Sequence, residues 1–236
     1  MDQDSHKRIA FFGGSFDPPH LGHLAVARAA RDALRLDTVL FAPVGAQPLK
    51  PQGSAATFAD RVAMTELAID GERGFAVSQI DAPDAEGRPN YTLATLRRLH
   101  AEIPSATLFC LMGADSFLSL RHWHGAAEVP FAASMVVASR PGQDIGALAA
   151  ALPTGIALEP AQNSPASADP RIELRAGTLR NASGKTAAFY VLPGLDVEIS
   201  ASETRAQLRA AISPADSRQL VPTAVERYIH DHALYR

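Results

Sequence analysis

His20 and His23 stand three residues apart in the stretch Gly13-Gly14-Ser15-Phe16-Asp17-Pro18-Pro19-His20-Leu21-Gly22-His23. The apolar run Ile9-Ala10-Phe11-Phe12 precedes it and an alanine-rich helical pattern follows. A strand is therefore expected to end in a glycine turn that opens a helix. A helix start leaves backbone N–H groups without intrahelical partners and carries the positive end of the helix dipole. Both features suit a phosphate group. Residues three apart share one helical face, so the two imidazoles can donate to phosphate oxygens there, more strongly when protonated. Gly13 and Gly14 let a bulky anion approach the backbone, and Gly22 leaves room against the first helical turn. An ordinary strand–turn–helix with two surface histidines would leave this coincidence of glycines, prolines and histidines unexplained.

A second cluster lies far along the chain, at Glu198-Ile199-Ser200-Ala201-Ser202-Glu203-Thr204-Arg205. With Ser202 as the N-cap of a helix, Ser200 just before it and Arg205 in the first turn, hydroxyls, free N–H groups and a guanidinium converge, again suited to a phosphate chain. Taken alone, the same residues could be a routine cap with a solvated arginine. Lys50, in Pro48-Leu49-Lys50-Pro51, places a cation in a proline-bounded loop after a strand. Neither the dinucleotide fingerprint G-x-G-x-x-G nor the Walker pattern is present. His122 and His124 flank Trp123, but no ligand carboxylate or H-E-x-x-H glutamate accompanies the histidines. They are expected as surface residues rather than metal ligands.

The elements that must position these groups follow from hydrophobic patterning. Strands are expected at Arg8–Phe12, Thr38–Pro43, Phe75–Ile80, Thr107–Met112, Ser134–Ala138 and Ala187–Leu192. Helices are expected at Leu21–Leu34, at Phe58–Ile69 capped by Thr57, around Leu93–His100 capped by Thr92, and after Gly113-Ala114-Asp115, where Asp115 could serve as a cap. Two more are expected at Ser202–Ile212 and Thr223–His232. Fully apolar strands alternating with helices point to a parallel sheet covered on both faces. Ligands of such sheets bind beyond the carboxyl ends of strands, near a switch in strand order. The segment 141–185, rich in Ala, Pro, Ser, Gly and Asn, reads as one helix followed by a long, partly mobile insertion with room for a short hairpin. The whole chain, 1–236, is expected to be a single domain.

A formal charge of −3 over 236 residues gives no electrostatic basis for broad nucleic-acid or anionic-membrane binding. The single cysteine, Cys110, lies in an apolar run and is expected as a buried thiol. The polar start of the chain lacks a signal-peptide core, and no run is long and apolar enough to span a bilayer. A cytoplasmic location is the expectation, and the oligomeric state, a homo-oligomer included, stays open.

The histidine turn and the late Ile-Ser-x-Ser-x-x-Arg together resemble the HIGH-type nucleotidyltransferase superfamily. The resemblance runs through Lys50, Arg61, Tyr91-Thr92-Leu93-Ala94-Thr95-Leu96, Gly113-Ala114-Asp115-Ser116, Trp123, Arg140-Pro141-Gly142 and the ending Val221–His230. It is nearest to the bacterial nicotinate-mononucleotide adenylyltransferases. Gln47 and Leu49 stand where that family's lysine loop usually has a proline and a histidine, and Ala94 replaces a usual aspartate. Ala201 and Thr204 vary the last motif. The resemblance implies a Rossmann-like doubly wound α/β fold with C-terminal helices. It implies transfer of an adenylyl group from ATP to nicotinate mononucleotide, with Mg²⁺ carried by ATP. His20, His23, Lys50 and Arg205 would stabilise phosphate charge. Gly13, Gly14, Ser15, Phe16, Gly22, Asp115, Ser200 and Ser202 would hold ATP, and Thr92 and Trp123 the mononucleotide. A pantetheine-phosphate adenylyltransferase or cytidylyltransferase, and a non-catalytic nucleotide-binding module, are the alternatives.

Overall fold

The computed structural model describes residues 6–49, 52–139, 145–161, 166–195, 199–210 and 219–236. Lys50 and the motif residues 140–142 lie outside them. Eight strands form one sheet in the order β3-β2-β1-β4-β5-β8-β7-β6. They are β1 (Arg8–Gly14), β2 (Thr38–Pro43), β3 (Phe75–Val77), β4 (Thr107–Gly113), β5 (Ser134–Ala138), β6 (Ile156–Pro160), β7 (Arg175–Asn181) and β8 (Thr186–Leu192). The helices are α1 (Leu21–Leu34), α2 (Phe58–Ile69), α3 (Thr92–Glu102), α4 (Ala114–Leu118), α5 (Ile145–Ala150), α6 (Ala201–Ala210) and α7 (Thr223–Asp231).

Strands β3, β2, β1, β4, β5 and β8 run parallel. Their alternating side chains feed two cores. Ile9, Phe11, Leu108, Cys110 and Met112 face α3 and α4 on one side. Ala10, Phe12, Phe109 and Leu111 face α1 on the other. This is the doubly wound arrangement that runs of apolar residues demand of strands buried on both faces. Chain order leaves β1 outward to β2 and β3, then returns to β4 on its other side. The carboxyl ends of β1 and β4 therefore flank the switch point where such sheets bind ligands. A third cluster joins α2 to the end of the chain through Met64, Ala68, Val225, Ile229 and Tyr235.

Among the described residues of the segment 141–185 the expected helix is present as α5, and strand takes up more of the remainder than an insertion with a short hairpin would. The segment supplies β6 and β7, and β7 returns to β8 through a tight turn as an antiparallel hairpin, with β6 antiparallel at the outer edge. Alternation in β7 is real but buries only Gly177 and Leu179 fully, so the apolar signal of a strand is nearly absent from its sequence. β3 is three residues long rather than six, with one further bond to β2, from the Ser78 N–H to the Phe41 carbonyl at 2.8 Å, before the chain leaves the sheet. Thr92 opens α3 as its first helical residue instead of capping it, and Tyr91 is the N-cap, without a side-chain bond. Likewise Gly113, not Asp115, caps α4.

Candidate active site

The turn after β1 is built by its own aromatic neighbours. A Cβ at Gly13 would stand 2.6 Å from the Phe11 ring, and one at Gly14 3.2 Å from the Phe16 ring. Packing against the buried Phe11 ring thus demands glycine at position 13, while a side chain at 14 would press on Phe16 by a few tenths of an ångström. Phe16, at φ +46°, turns its ring inward to within 4.9 Å of the His23 centroid and 5.6 Å of Phe12 and Phe41. It is 1% exposed, so it backs the cleft and supports His23 rather than meeting solvent. His23 in turn stacks on His20 with centroids 3.6 Å apart.

His20 is the N-cap of α1, and the two histidines form a reciprocal capping box. The His23 backbone N–H donates to His20 Nδ1 at 3.3 Å, and the His20 backbone N–H donates to His23 Nδ1 at 3.1 Å. With both Nδ1 atoms accepting, each ring carries its proton on Nε2. Burial holds His20 down to about 4, and burial together with the neighbouring His20 holds His23 well below its usual value. The pair is therefore neutral at pH 7, two Nε2–H donors rather than the imidazolium cations that would bind phosphate more strongly.

Opposite stands the start of α6. Ser200, not Ser202, caps this helix: the Glu203 backbone N–H donates to Ser200 Oγ at 3.1 Å, and the Ser200 N–H returns to the Glu203 carboxylate at 3.2 Å. The sequence places this capping box two residues earlier than expected because Glu203, three residues after Ser200, completes it. Ser202 lies in the first turn, exposed, with Arg205 Nη2 3.4 Å from its Oγ. Arg205 Nη1 donates to the Asp17 carbonyl at 2.7 Å, which brings the guanidinium across to the histidine turn.

Asp17 ties three distant segments together. The residue is 4% exposed, and its carboxylate accepts the N–H groups of Ala55 and Ala56 and, at 2.7 Å, the hydroxyl of Tyr235. Arg61 is a second brace, fully buried, donating to the carbonyls of Ser15 at 2.7 Å and Val44 at 2.8 Å. It locks the turn after β1 to the loop after β2. Sequence reasoning missed Asp17 and Tyr235. Their partners lie 38 and 218 residues away, and the only local signal was a charged residue lodged between an aromatic and two prolines.

Two cavities meet over this framework. The first, about 540 Å³, is lined by Gly13, Gly14, Ser15, Phe16, His20, Gly22, His23, Asp115, Ser200, Ser202 and Arg205. Every described residue expected to hold ATP is there. The second, about 500 Å³, carries Tyr91, Thr92, Trp123 and Leu49. Trp123 is partly buried, its Nε1 donating to Ser119 Oγ at 2.9 Å. Nearby, the exposed His124 ring lies 4.3 Å from Tyr91. His122 and His124, expected as plain surface residues, line this second cavity too. Among the described residues no group of three or more His, Cys, Asp or Glu side chains could hold a metal ion. Cys110 is buried, as expected, and burial pushes its thiol up to about 12, so it offers no nucleophile.

Such a cleft, with a neutral histidine pair at one helix start and an arginine at another across a strand-order switch, belongs to a recurrent class. The Cytidylyltransferase-like family profile matches residues 11–207, and the chain belongs to this family. Its curated relatives narrow the class. A protein of Geobacter sp. (strain M21) named "Probable nicotinate-nucleotide adenylyltransferase" is 37% identical, over 97% of this chain and 98% of its own. One of the same name from Gloeobacter violaceus is 36% identical over 97% and 96%. The fold matches that of Plasmodium falciparum nicotinic acid mononucleotide adenylyltransferase, a structure complexed with NaAD, with a TM-score of 0.70, 15% identity and 98% of both chains covered.

Proposed function

We propose that this protein joins ATP to nicotinate mononucleotide, releasing pyrophosphate and forming nicotinate adenine dinucleotide for NAD biosynthesis. The observation that carries the reading is the pair of cavities meeting at Gly13 and Gly14. One carries the hydrogen-bond donors suited to phosphate, His20, His23, Ser200, Ser202 and Arg205, and the other holds an indole suited to a pyridine ring. An oxygen of the mononucleotide phosphate attacks the α-phosphorus of ATP in line, and the bond from that phosphorus to the β-phosphate oxygen breaks. The electron pair leaves with pyrophosphate. The attacking oxygen is already anionic, so no general base is needed, and catalysis is positioning plus charge stabilisation.

In this reading His20 and His23 donate Nε2–H to the phosphates, His23 nearest the α-phosphate. Arg205 and Lys50 neutralise the leaving side, and Ser200, Ser202 and the free N–H groups of α6 hold the terminal oxygens. Gly13, Gly14, Ser15 and Gly22 form the nucleotide cleft, Phe16 supports it, and Asp115 meets the adenosine. Thr92 and Trp123 hold the mononucleotide. Mg²⁺ would enter as the counterion of ATP; Asp17, the one buried carboxylate lining the first cavity, already accepts three hydrogen bonds, two from N–H groups and one from a hydroxyl. The chain works as one nucleotidyltransferase domain in the cytoplasm, with no nucleic-acid or membrane partner. No helix among the described residues is long and apolar enough to cross a membrane.

The test is pyrophosphate release from ATP with nicotinate mononucleotide, nicotinamide mononucleotide and phosphopantetheine side by side. Turnover with nicotinate mononucleotide and none with phosphopantetheine is expected. The reverse pattern, or ATP binding without any product, overturns the reading.

A further inference from the structure

We propose that Gln47 is an additional catalytic residue, its side-chain amide donating a hydrogen bond to a phosphoryl oxygen at the point where the two substrates meet. The inference rests on the adenylyl-transfer reading above. The residues common to both cavities are Gly13, Gly14, Gln47, Met112, Asp115 and Ser116. An in-line transfer between a ligand in one cavity and a ligand in the other must occur beside them. The glycines offer only backbone, Met112 offers no donor, and Asp115 carries the wrong charge for a phosphate. Ser116 has a single hydroxyl on an exposed position of α4. Gln47 alone brings a side chain with two N–H bonds and no charge to desolvate.

Its amide is oriented in advance. Ser15 Oγ donates to Gln47 Oε1 at 3.1 Å, which commits the carbonyl end to the turn after β1. The Nε2 end donates to no other described residue. The backbone beneath is held on both sides: the Ala46 N–H donates to Asn90 Oδ1 at 2.9 Å, and the Asn90 N–H to the Ala46 carbonyl at 3.0 Å. Arg61 fixes the Ser15 and Val44 carbonyls relative to each other. A donor so placed does not have to reorganise as charge shifts, which is where hydrogen bonds accelerate phosphoryl chemistry most. Two anionic phosphates must approach within bonding distance at this junction. A neutral donor there eases their repulsion without trapping pyrophosphate, as another fixed cation would.

The test is Gln47→Glu, which keeps the size of the side chain and an acceptor for Ser15 while replacing the donor by an anion, together with Gln47→Met, which removes the donor without adding charge. Steady-state rates are read against wild type with ATP and nicotinate mononucleotide, with thermal melts alongside. We expect kcat to fall about a hundredfold or more in Gln47→Glu and about tenfold to a hundredfold in Gln47→Met. KM for ATP should change by less than about threefold in Gln47→Met, with a wild-type melting temperature. Were Gln47 only a prop for Ser15, Gln47→Met would cost nothing further in a Ser15→Ala background, whereas a direct donor predicts that its loss in kcat persists there. Both variants within about threefold of wild type would overturn the inference while leaving the function standing. A wild type inactive with nicotinate mononucleotide would overturn both.

Discussion

Neutrality of the histidine pair makes acid costly to this fold. His20 is held at about 4 against 6.5 for an ordinary imidazole. As pH falls below 6.5 the unfolded chain binds a proton that the folded chain refuses, so stability drops until the folded pKa is reached. The stability associated with a neutral His20 is complete above 6.5 and is lost between 6.5 and about 4. At about 1.4 kcal/mol per unit, His20 alone removes about 2 kcal/mol by pH 5. His23, lowered in the same direction, adds to this. The comparison is His20→Asn, which does not titrate and keeps an oxygen to accept the His23 N–H, since asparagine is a good N-cap. Denaturant unfolding at pH 7.5 and pH 5 should cost wild type about 2 kcal/mol more than the variant, other titrating groups cancelling in the difference. ATP should shrink that gap, because phosphate charge beside the imidazoles favours their protonated form. Equal pH dependence in the two proteins would refute the buried, neutral pair.

Three other changes address separate parts of the site. His23→Ala should lower kcat by about a hundredfold to a thousandfold with the fold intact by circular dichroism, as loss of a preorganised donor does; a near-normal rate would remove His23 from the chemistry. Tyr235→Phe deletes a buried hydrogen bond to a carboxylate and should cost about 2 kcal/mol of stability, read as a lowered urea midpoint; an unchanged midpoint would show the contact to be idle. Trp123→Ala should raise KM for the mononucleotide about tenfold or more while leaving KM for ATP near wild type, with Trp123→Phe partly restoring it; equal effects on both substrates would place the indole outside the acceptor site.

The parallel core was legible in the sequence because burial on both faces leaves an unmistakable mark. The apolar runs of β1, β2, β4 and β5 and the alanine stripe of α1 have no other use. The histidine turn was legible for a different reason, since glycines, prolines and histidines crowd there for local geometric needs. The edge strands β6 and β7 were not, because an outer hairpin half open to water can be written in almost any polar residues. Helix caps shifted by one or two residues at Thr92, Asp115 and Ser202, where several hydroxyl and carboxylate residues compete for one position. Roles that exist only across the fold, such as Asp17 with Tyr235 or Arg61 with Ser15 and Val44, have no local pattern to read.

The bond from Tyr235 to Asp17 sets a constraint on how the enzyme is made and handled. Tyr235 reaches the turn after β1 across 218 residues of chain, so the turn gains this partner only after the segment beyond α7 has been synthesised and folded back. Until then the wall formed by α6 and the chain end cannot be fastened, so a nascent or C-terminally clipped chain presents the histidines without their arginine held in place. An affinity tag fused after Arg236 would begin within two residues of that fastening. Recombinant production is better served by a tag at the other end.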